Sequence, residues 1–415
     1  MGSRDGFPND RTGVFRQTPR RPVVVFVVNG SPMSALGIRA QALAARLSDE
    51  YDIRLLYRSA HKLRSLVRFF LDLLRIRPRL SYVFDMSYSG VLAAVFYKIL
   101  ARNRLLIETG DVIYELAKSM GRRSWAGLWL TKQLEALSLK SADRMVVRGT
   151  RHKEWLDAQG IHPVDVIQDG VELDKFKPLD ATALRRQYQL DGVLTVGLVG
   201  TPIWNERWDM GYGWELVEVL RLLKDAPVKG ILIGDGSGIS RLKARAREYG
   251  IEDKLLFLGH VPPDQLPLYL NLIDVCLSTQ TNDLVGQVRT TGKLPLYLAT
   301  GRYILASKVG EAALVLDDEM LVEYDGIKDA CYPQRLADRI QVILNHRAEL
   351  EKGWLHRRVA EERFDYNVLA EKLKPVMASL CQMPGKNLYQ CRQDTKAPRK
   401  FEDGESGIED RSDAS

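Results

Sequence analysis

Cysteine is scarce: the 415-residue chain has four, Cys276, Cys331, Cys381 and Cys391, too widely spaced for paired metal ligands. That usage fits a reducing compartment, and Cys276, inside an apolar run, reads as a core thiol. No apolar run reaches the length of a membrane span; the nearest, Val91–Ile107, is cut by Lys98, Arg102 and Arg104. Residues 1–20 carry four arginines and no apolar core, which reads as a disordered lead rather than a secretory signal. GxGxxG is missing too, which disfavours a tightly wrapped dinucleotide. The acidic triplet Asp317-Asp318-Glu319 reads as a solvated loop, not a metal site. These absences describe a cytoplasmic protein, soluble or resting at the inner face of a membrane.

What is present is an ordinary globular composition, with 45% hydrophobic and 27% charged residues. The net charge of +7 allows a basic patch for phosphates or anionic lipid and does not by itself argue for nucleic acid. The length suffices for two domains with sizeable cores.

The β-branched run Val23–Val28 reads as the first buried strand of a parallel sheet, followed by a glycine-bearing loop and a helix from Gly37 to Leu47. Strands are expected at Ile53–Tyr57, Ser81–Asp85, Leu105–Glu108, Met145–Arg148 and Val164–Ile167, with helices at Trp125–Ser141 and Arg151–Gln159. The stretch His61–Leu80 sets six bases against Asp72 with apolar residues at helical spacing. Two readings stand: a helix packed on the sheet with a solvated basic face, or a helix meeting an anionic membrane surface. Arg122, Arg123, Trp125 and Trp129 form a basic-aromatic edge that suits the second.

A second domain of the same class begins at Leu194–Val199. A Trp-rich loop follows through Gly213, then a helix at Trp214–Leu223 and a strand at Val228–Ile233 running into Gly234-Asp235-Gly236. Leu255–Leu258 leads to Gly259-His260-Val261, and a strand is expected over Leu272–Ser278. Charged amphipathic helices are expected at Pro333–Asn345, Ala348–Phe364 and Tyr366–Cys381, before a polar tail. The domain boundaries predicted are 21–185, 186–350, a helical return at 351–382, and disordered ends at 1–20 and 383–415.

Chemistry concentrates at Asn282–Gly310. Thr290, Thr291 and Gly292 precede an apolar helix, Leu294–Ala299, so free N–H groups, two hydroxyls and the Lys293 ammonium would converge on one anion. An ordinary surface turn before a core helix is the alternative. GQVRTTGK is not a P-loop: its glycines are one residue too far apart, and Leu294 stands where Ser or Thr should hold magnesium.

From Val23 to Cys381 the chain resembles the glycogen-synthase-like retaining glycosyltransferases of the GT-B fold, the family-four group. The likeness rests on five stretches in order: LEALSLKSADRMVVRGTRHKEWL, VIQDGVELDKFKP, ILIGDGSGISRL, DKLLFLGHVPPDQLPLYL and KLPLYLATGRYILAS. The resemblance implies an α/β chain of two Rossmann-like doubly wound domains facing a cleft, with C-terminal helices crossing back to the first. It implies a UDP- or GDP-linked sugar donor held mainly by the second domain, and a hydroxyl acceptor (lipid-linked, polysaccharide or small molecule) at the first. Transfer would proceed with retention and with neither cofactor nor obligate metal. Catalytic roles fall by this resemblance on Asp111, Arg207 and Lys293. Donor binding falls on Gly37, Thr201, Asp235, Gly236, His260, Val261, Thr290, Thr291 and Gly292.

Three departures stand out. Of the family's glutamate pair, the second corresponds to Leu296 and the first to Val288, neither of which accepts a hydrogen bond through its side chain. The "HD" pair is Gly110-Asp111, and Tyr212 replaces the lysine of "KG". Asp111 either orients and deprotonates an acceptor hydroxyl or caps the next helix. A catalytically silent binding or partner subunit is therefore the alternative to an active transferase.

Overall fold

The computed structural model describes residues 21–382; the expected disordered lead and tail lie outside the described residues. The first domain is a six-stranded, all-parallel sheet in the order β2-β1-β3-β4-β5-β6. Its strands are β1 (Val23–Val28), β2 (Asp52–Tyr57), β3 (Leu80–Phe84), β4 (Arg104–Thr109), β5 (Arg144–Val147) and β6 (Val164–Val166). The helices are α1 (Ala35–Leu47), α2 (Lys62–Ile76), α3 (Tyr88–Ala101), α4 (Ile113–Met120), α5 (Trp125–Ser141) and α6 (Thr150–Ala158). Strands β1, β3 and β4 are almost wholly buried, as continuous apolar runs in a sheet covered on both faces must be.

The helices divide between the faces. Phe69 and Leu73 of α2 and Val91 and Tyr97 of α3 pack on one side of the sheet, α1 on the other. Two helices differ from the sequence reading. The interrupted apolar stretch from Val91 is α3, which buries most of its circumference and so lacks a one-sided pattern. Helix α4 occupies a stretch for which the sequence reading gave no bounded element, and its first amides find their acceptor 22 residues away in Glu135.

A linker bearing α7 (Thr182–Gln187) leads to the second sheet, parallel throughout and ordered β11-β10-β7-β12-β13-β14. These strands are β7 (Leu194–Val199), β10 (Val228–Ile233), β11 (Leu255–Gly259), β12 (Val275–Ser278), β13 (Tyr303–Ser307) and β14 (Leu321–Val322). The Trp-rich loop folds as a small antiparallel hairpin of β8 (Trp204–Asn205) and β9 (Met210–Gly211). Helices α8 (Trp214–Leu222), α9 (Ile239–Glu248), α10 (Leu266–Leu270), α11 (Leu284–Val288), α12 (Lys293–Ala299) and α13 (Ala312–Val315) alternate with the strands. Read in chain order, this sheet runs 3-2-1-4-5-6, the dinucleotide-fold order whose chain direction reverses between β7 and β12. Ligands of such sheets bind outside the carboxyl ends of the strands at that reversal.

Helix α14 (Tyr332–Asn345) completes the second domain. The single helix expected over 348–364 is instead a 3₁₀ turn, α15 (Lys352–Val359) and a π-turn, with Gly353 pressed against the Arg302–Tyr303 backbone. The chain then returns as α16 (Tyr366–Gln382), whose Leu369, Leu373 and Met377 join the core beneath α1 in the first domain. Tyr366 lies where a side chain on Gly170 would stand, so this glycine lets the returning chain meet the linker.

Candidate active site

At the second domain's edge, glycines let three strand ends stack. Gly234, after β10, has φ 133°, and a Cβ there would stand 1.8 Å from the Gly200 carbonyl. Its N–H donates to the Gly259 carbonyl at the end of β11 (2.8 Å), and the Gly238 N–H donates to the Pro202 carbonyl (2.9 Å). These links bring Thr201, Asp235, Gly236, His260 and Val261 onto one rim; the Thr201 methyl lies 3.1 Å from the Cβ position of Gly236. Asp235 turns its carboxylate to the Gly236 N–H at 2.7 Å.

Helix α12 is tied to the same rim at the reversal point. The Val199 N–H donates to the Tyr297 hydroxyl (2.8 Å), and the Tyr212 hydroxyl donates to the Val199 carbonyl (3.1 Å). The half-buried Lys293 ammonium lies 3.4 Å from the centre of the Tyr212 ring. Burial, reinforced by the nearby Arg289 and opposed by Glu215, pushes Lys293 down to about 7. Glu215 itself is buried, which raises its carboxyl. The lysine is therefore poised near neutrality, where an arriving anion would restore its charge.

The groups of Thr290–Lys293 do not converge on one point as the sequence suggested. The Thr290 hydroxyl donates across the cleft to the Asp169 carboxylate (2.8 Å), while Lys293 rests on Tyr212. Arg289 reaches over as well, its Nε 3.2 Å from Asp111 Oδ1. The space beside Gly292 stays open. Physically, a side chain already held by a carboxylate in the partner domain satisfies its hydrogen bond there.

The first domain contributes a buried ionic cluster behind Asp111. A Cβ on Gly110 would stand 2.2 Å from Arg148 Nε and Nη2, so this arginine fills the place where a side chain at 110 would begin. Arg148 Nη1 donates to Asp169 Oδ1 (3.1 Å), and its Nε lies 3.9 Å from Glu108. Burial works against the Arg148 charge, but Asp169, Glu108 and Asp111 outweigh it and hold the guanidinium above its ordinary value. Asp169, which burial alone would raise, is held below the usual carboxylate range by Arg148, Arg39 and Thr290.

Glu108, fully buried, accepts from Arg39 Nε (2.8 Å) and from the Tyr82 hydroxyl (2.5 Å). Arg39 also holds the Gln168 and Ile167 carbonyls, so it locks α1 to the linker. Asp85, after β3, has φ 73°, an uncommon backbone for a residue with a side chain, and burial raises its carboxyl. Buried His152 is pushed down to about 4 by burial, with Asp111 opposing and Arg148 assisting.

Asp111 does not cap the next helix. That task falls to Glu135, whose Oε1 accepts from the Ile113 N–H (2.6 Å) and the Tyr114 N–H (3.3 Å). The Asp111 carboxylate is thus left facing Arg289 in the cleft. Two expected residues sit apart. Arg207 is exposed on the β8–β9 turn, its guanidinium over Trp208, in a hairpin anchored by Arg122 and Lys328. Gly37 is buried against its own loop: a Cβ would meet the Ser31 carbonyl at 2.2 Å.

Arg148, Asp169, Arg289 and Glu311 escaped the sequence reading. Glu311 accepts from the Thr150 N–H (2.9 Å), another tie between the domains. The available signal was charge placement: Arg148 ends an apolar strand run, at the edge where such sheets bind ligands. Among the described residues, no group of three His, Cys, Asp or Glu is arranged to hold a metal ion, and no helix is long and apolar enough to cross a membrane.

Two Rossmann-like domains, each with a six-stranded parallel sheet, meeting at a cleft define the GT-B fold of glycosyltransferases. The comparisons agree. Residues 214–290 match the family model described as glycosyl transferases group 1. The 2-deoxystreptamine glucosyltransferase of Streptomyces kanamyceticus is 28% identical over 129 residues, covering 30% of this chain and 32% of the relative. The D-inositol 3-phosphate glycosyltransferase of Acidothermus cellulolyticus is 27% identical over 233 residues, covering 53% of this chain and 50% of the relative. The matches thus span about a third and a half of these curated relatives. Among solved structures, HepE from Anabaena in complex with UDP superimposes with a TM-score of 0.67 at 15% identity, over 86% of this chain and 100% of that one. Sucrose-phosphate synthase from Thermosynechococcus elongatus gives 0.71 at 17%, over 87% and 99%.

Proposed function

We propose that this chain is a glycosyltransferase that moves a sugar from a UDP- or GDP-linked donor to a hydroxyl acceptor with retention of configuration. The acceptor is lipid-linked, a polysaccharide or a small molecule, and the enzyme works in the cytoplasm. The carrying observation is the rim at the reversal of the second sheet, where Thr201, Asp235, Gly236, His260 and Val261 lie beside a lysine poised near neutrality. Nucleotide sugars bring a base, a ribose and a diphosphate to such a rim, and UDP in the HepE structure is the ligand of a protein with the same fold.

In the reaction, the bond between the anomeric carbon and the diphosphate oxygen breaks, and its electron pair leaves with the diphosphate. The acceptor oxygen bonds the same face of that carbon, and its proton passes out by way of Asp111 or the leaving phosphate. Charge builds on the departing group, so cations fixed beforehand lower the barrier. In this reading Lys293 and Arg289 supply them and no obligate metal is required: diphosphate would draw Lys293 off the Tyr212 ring, and Arg289 pairs with Asp111. The half-buried Arg148 keeps positive charge beside Asp111.

A thermal-shift screen of nucleotides and nucleotide sugars tests the reading, since a ligand bound only to the folded state raises apparent stability. Selective stabilisation by one nucleotide family is expected. A blank screen would move the chain to the silent partner class.

A further inference from the structure

Of the helix layers, the one carrying α2, α3 and α5 is unusual in what it shows to solvent. On α2, Leu63, Val67 and Leu71 are 71%, 55% and 42% exposed. They recur every four residues and form a stripe opposite the buried Ser65, Phe69 and Leu73. Arg64, Arg68 and Arg75 line the same shallow groove as the stripe. The helix carries Lys62, Arg64, Arg68 and Arg75 against one acid, Asp72, which Arg75 approaches at 3.6 Å. Arg68 folds back to the Tyr57 carbonyl yet stays exposed, and Lys62 lies 5.8 Å from the centre of the Tyr88 ring at the start of α3.

The same layer exposes Phe96, Ile99 and Leu100 at the end of α3 and Trp125, Trp129 and Leu130 at the start of α5. Single exposed apolar residues need no explanation, but nine on three helices of one layer, interleaved with arginines, call for a partner. An apolar protein groove would not require the arginines, and a nucleic acid would not require the leucines. A surface that is acidic outside and hydrocarbon beneath requires both. Trp at the boundary suits the same surface, with its ring apolar and its N–H wet.

We propose that this face, centred on α2 with the α5 tryptophans, docks on a lipid bilayer bearing anionic headgroups. The arginines meet the headgroups while Leu63, Val67 and Leu71 enter the acyl boundary. The patch borders the second domain: Arg122, just before α5, donates to the Trp204 carbonyl of the β8–β9 hairpin at 2.9 Å. The proposal concerns binding and does not depend on sugar transfer.

The test is flotation of the full chain with vesicles of phosphatidylcholine alone or with about a third phosphatidylglycerol, at low and high salt. Binding to the anionic vesicles at low salt, lost at high salt, is expected because screening removes the headgroup attraction. Replacing Arg64 and Arg68 by Gln should weaken binding about 25-fold, at roughly fivefold for each charge near the surface. Replacing Leu63 and Val67 by Glu should abolish it while leaving the melting temperature of the free protein unaltered, because those side chains already face water. Absence of binding at low salt, equal binding to both vesicle types, or binding indifferent to both double variants would each overturn the proposal. So would a wild-type dimer in light scattering that the Leu63 and Val67 substitutions split, since the patch would then join two copies.

Discussion

Lys293 offers the sharpest consequence, because its state changes near neutral pH. Its ammonium, pushed down to about 7 by burial, loses its proton as the pH rises through that value in the free protein. A diphosphate binds the charged form, so the lysine in the complex holds its proton to higher pH. The sign follows: affinity is full below about 7 and falls as the pH climbs from there toward the value in the complex. Each pH unit in that window costs about 1.4 kcal/mol, or tenfold. Between pH 6.5 and 8.5 the Kd for UDP should therefore rise roughly 25-fold. The phosphate's own second ionisation, near pH 6, acts below this window.

Calorimetric titration of UDP at several pH values checks this. Lys293→Arg keeps its charge throughout and should flatten the profile. Lys293→Ala should also be flat, and weaker at pH 6.5 by about 1.5–3 kcal/mol, the value of a hydrogen bond to a charged group. A wild-type affinity constant across this range, or a slope retained in Lys293→Ala, would refute the role of the lysine.

Three further outcomes are expected. Asp111→Asn should slow transfer without unfolding the protein, because Glu135 and not Asp111 caps α4; an unaltered rate in the folded variant would remove Asp111 from the mechanism. Gly110→Ala should destabilise the protein in urea by about 1–3 kcal/mol, since the new methyl meets the ion-paired Arg148 guanidinium, which must shift, and a neutral result would mean that Arg148 moves freely. His152 has a folded pKa of about 4 against an ordinary 6.5, so the unfolded chain takes up the proton first and stability falls as the pH drops between those values. His152→Leu should lessen that decline, and melts at pH 4.5 and 7 would show whether it does.

The second sheet was legible because its strands are short apolar runs punctuated by glycine: Leu194–Val199 and Val228–Ile233 have the bounds expected from sequence. Elements were missed where the local signal is absent. α3 is apolar nearly all round, and α11 is five residues long. The site divides in the same way. Thr201, Asp235, Gly236, His260 and Val261 were found at strand ends, where local pattern and fold agree. Arg148 over Gly110, Glu135 under α4, and the reach of Thr290 to Asp169 depend on residues that only the folded chain brings together. The Thr290 link spans 121 positions, and no spacing rule foretells it.

Hydrogen–deuterium exchange with and without UDP tests the central claim most directly, because it reads where a nucleotide sits. Protection should appear in residues 200–202, 234–238, 259–261 and 289–293, the loops at the carboxyl edge of the second sheet. Protection confined to the first domain, or none at saturating UDP, would contradict a nucleotide-sugar site at this rim.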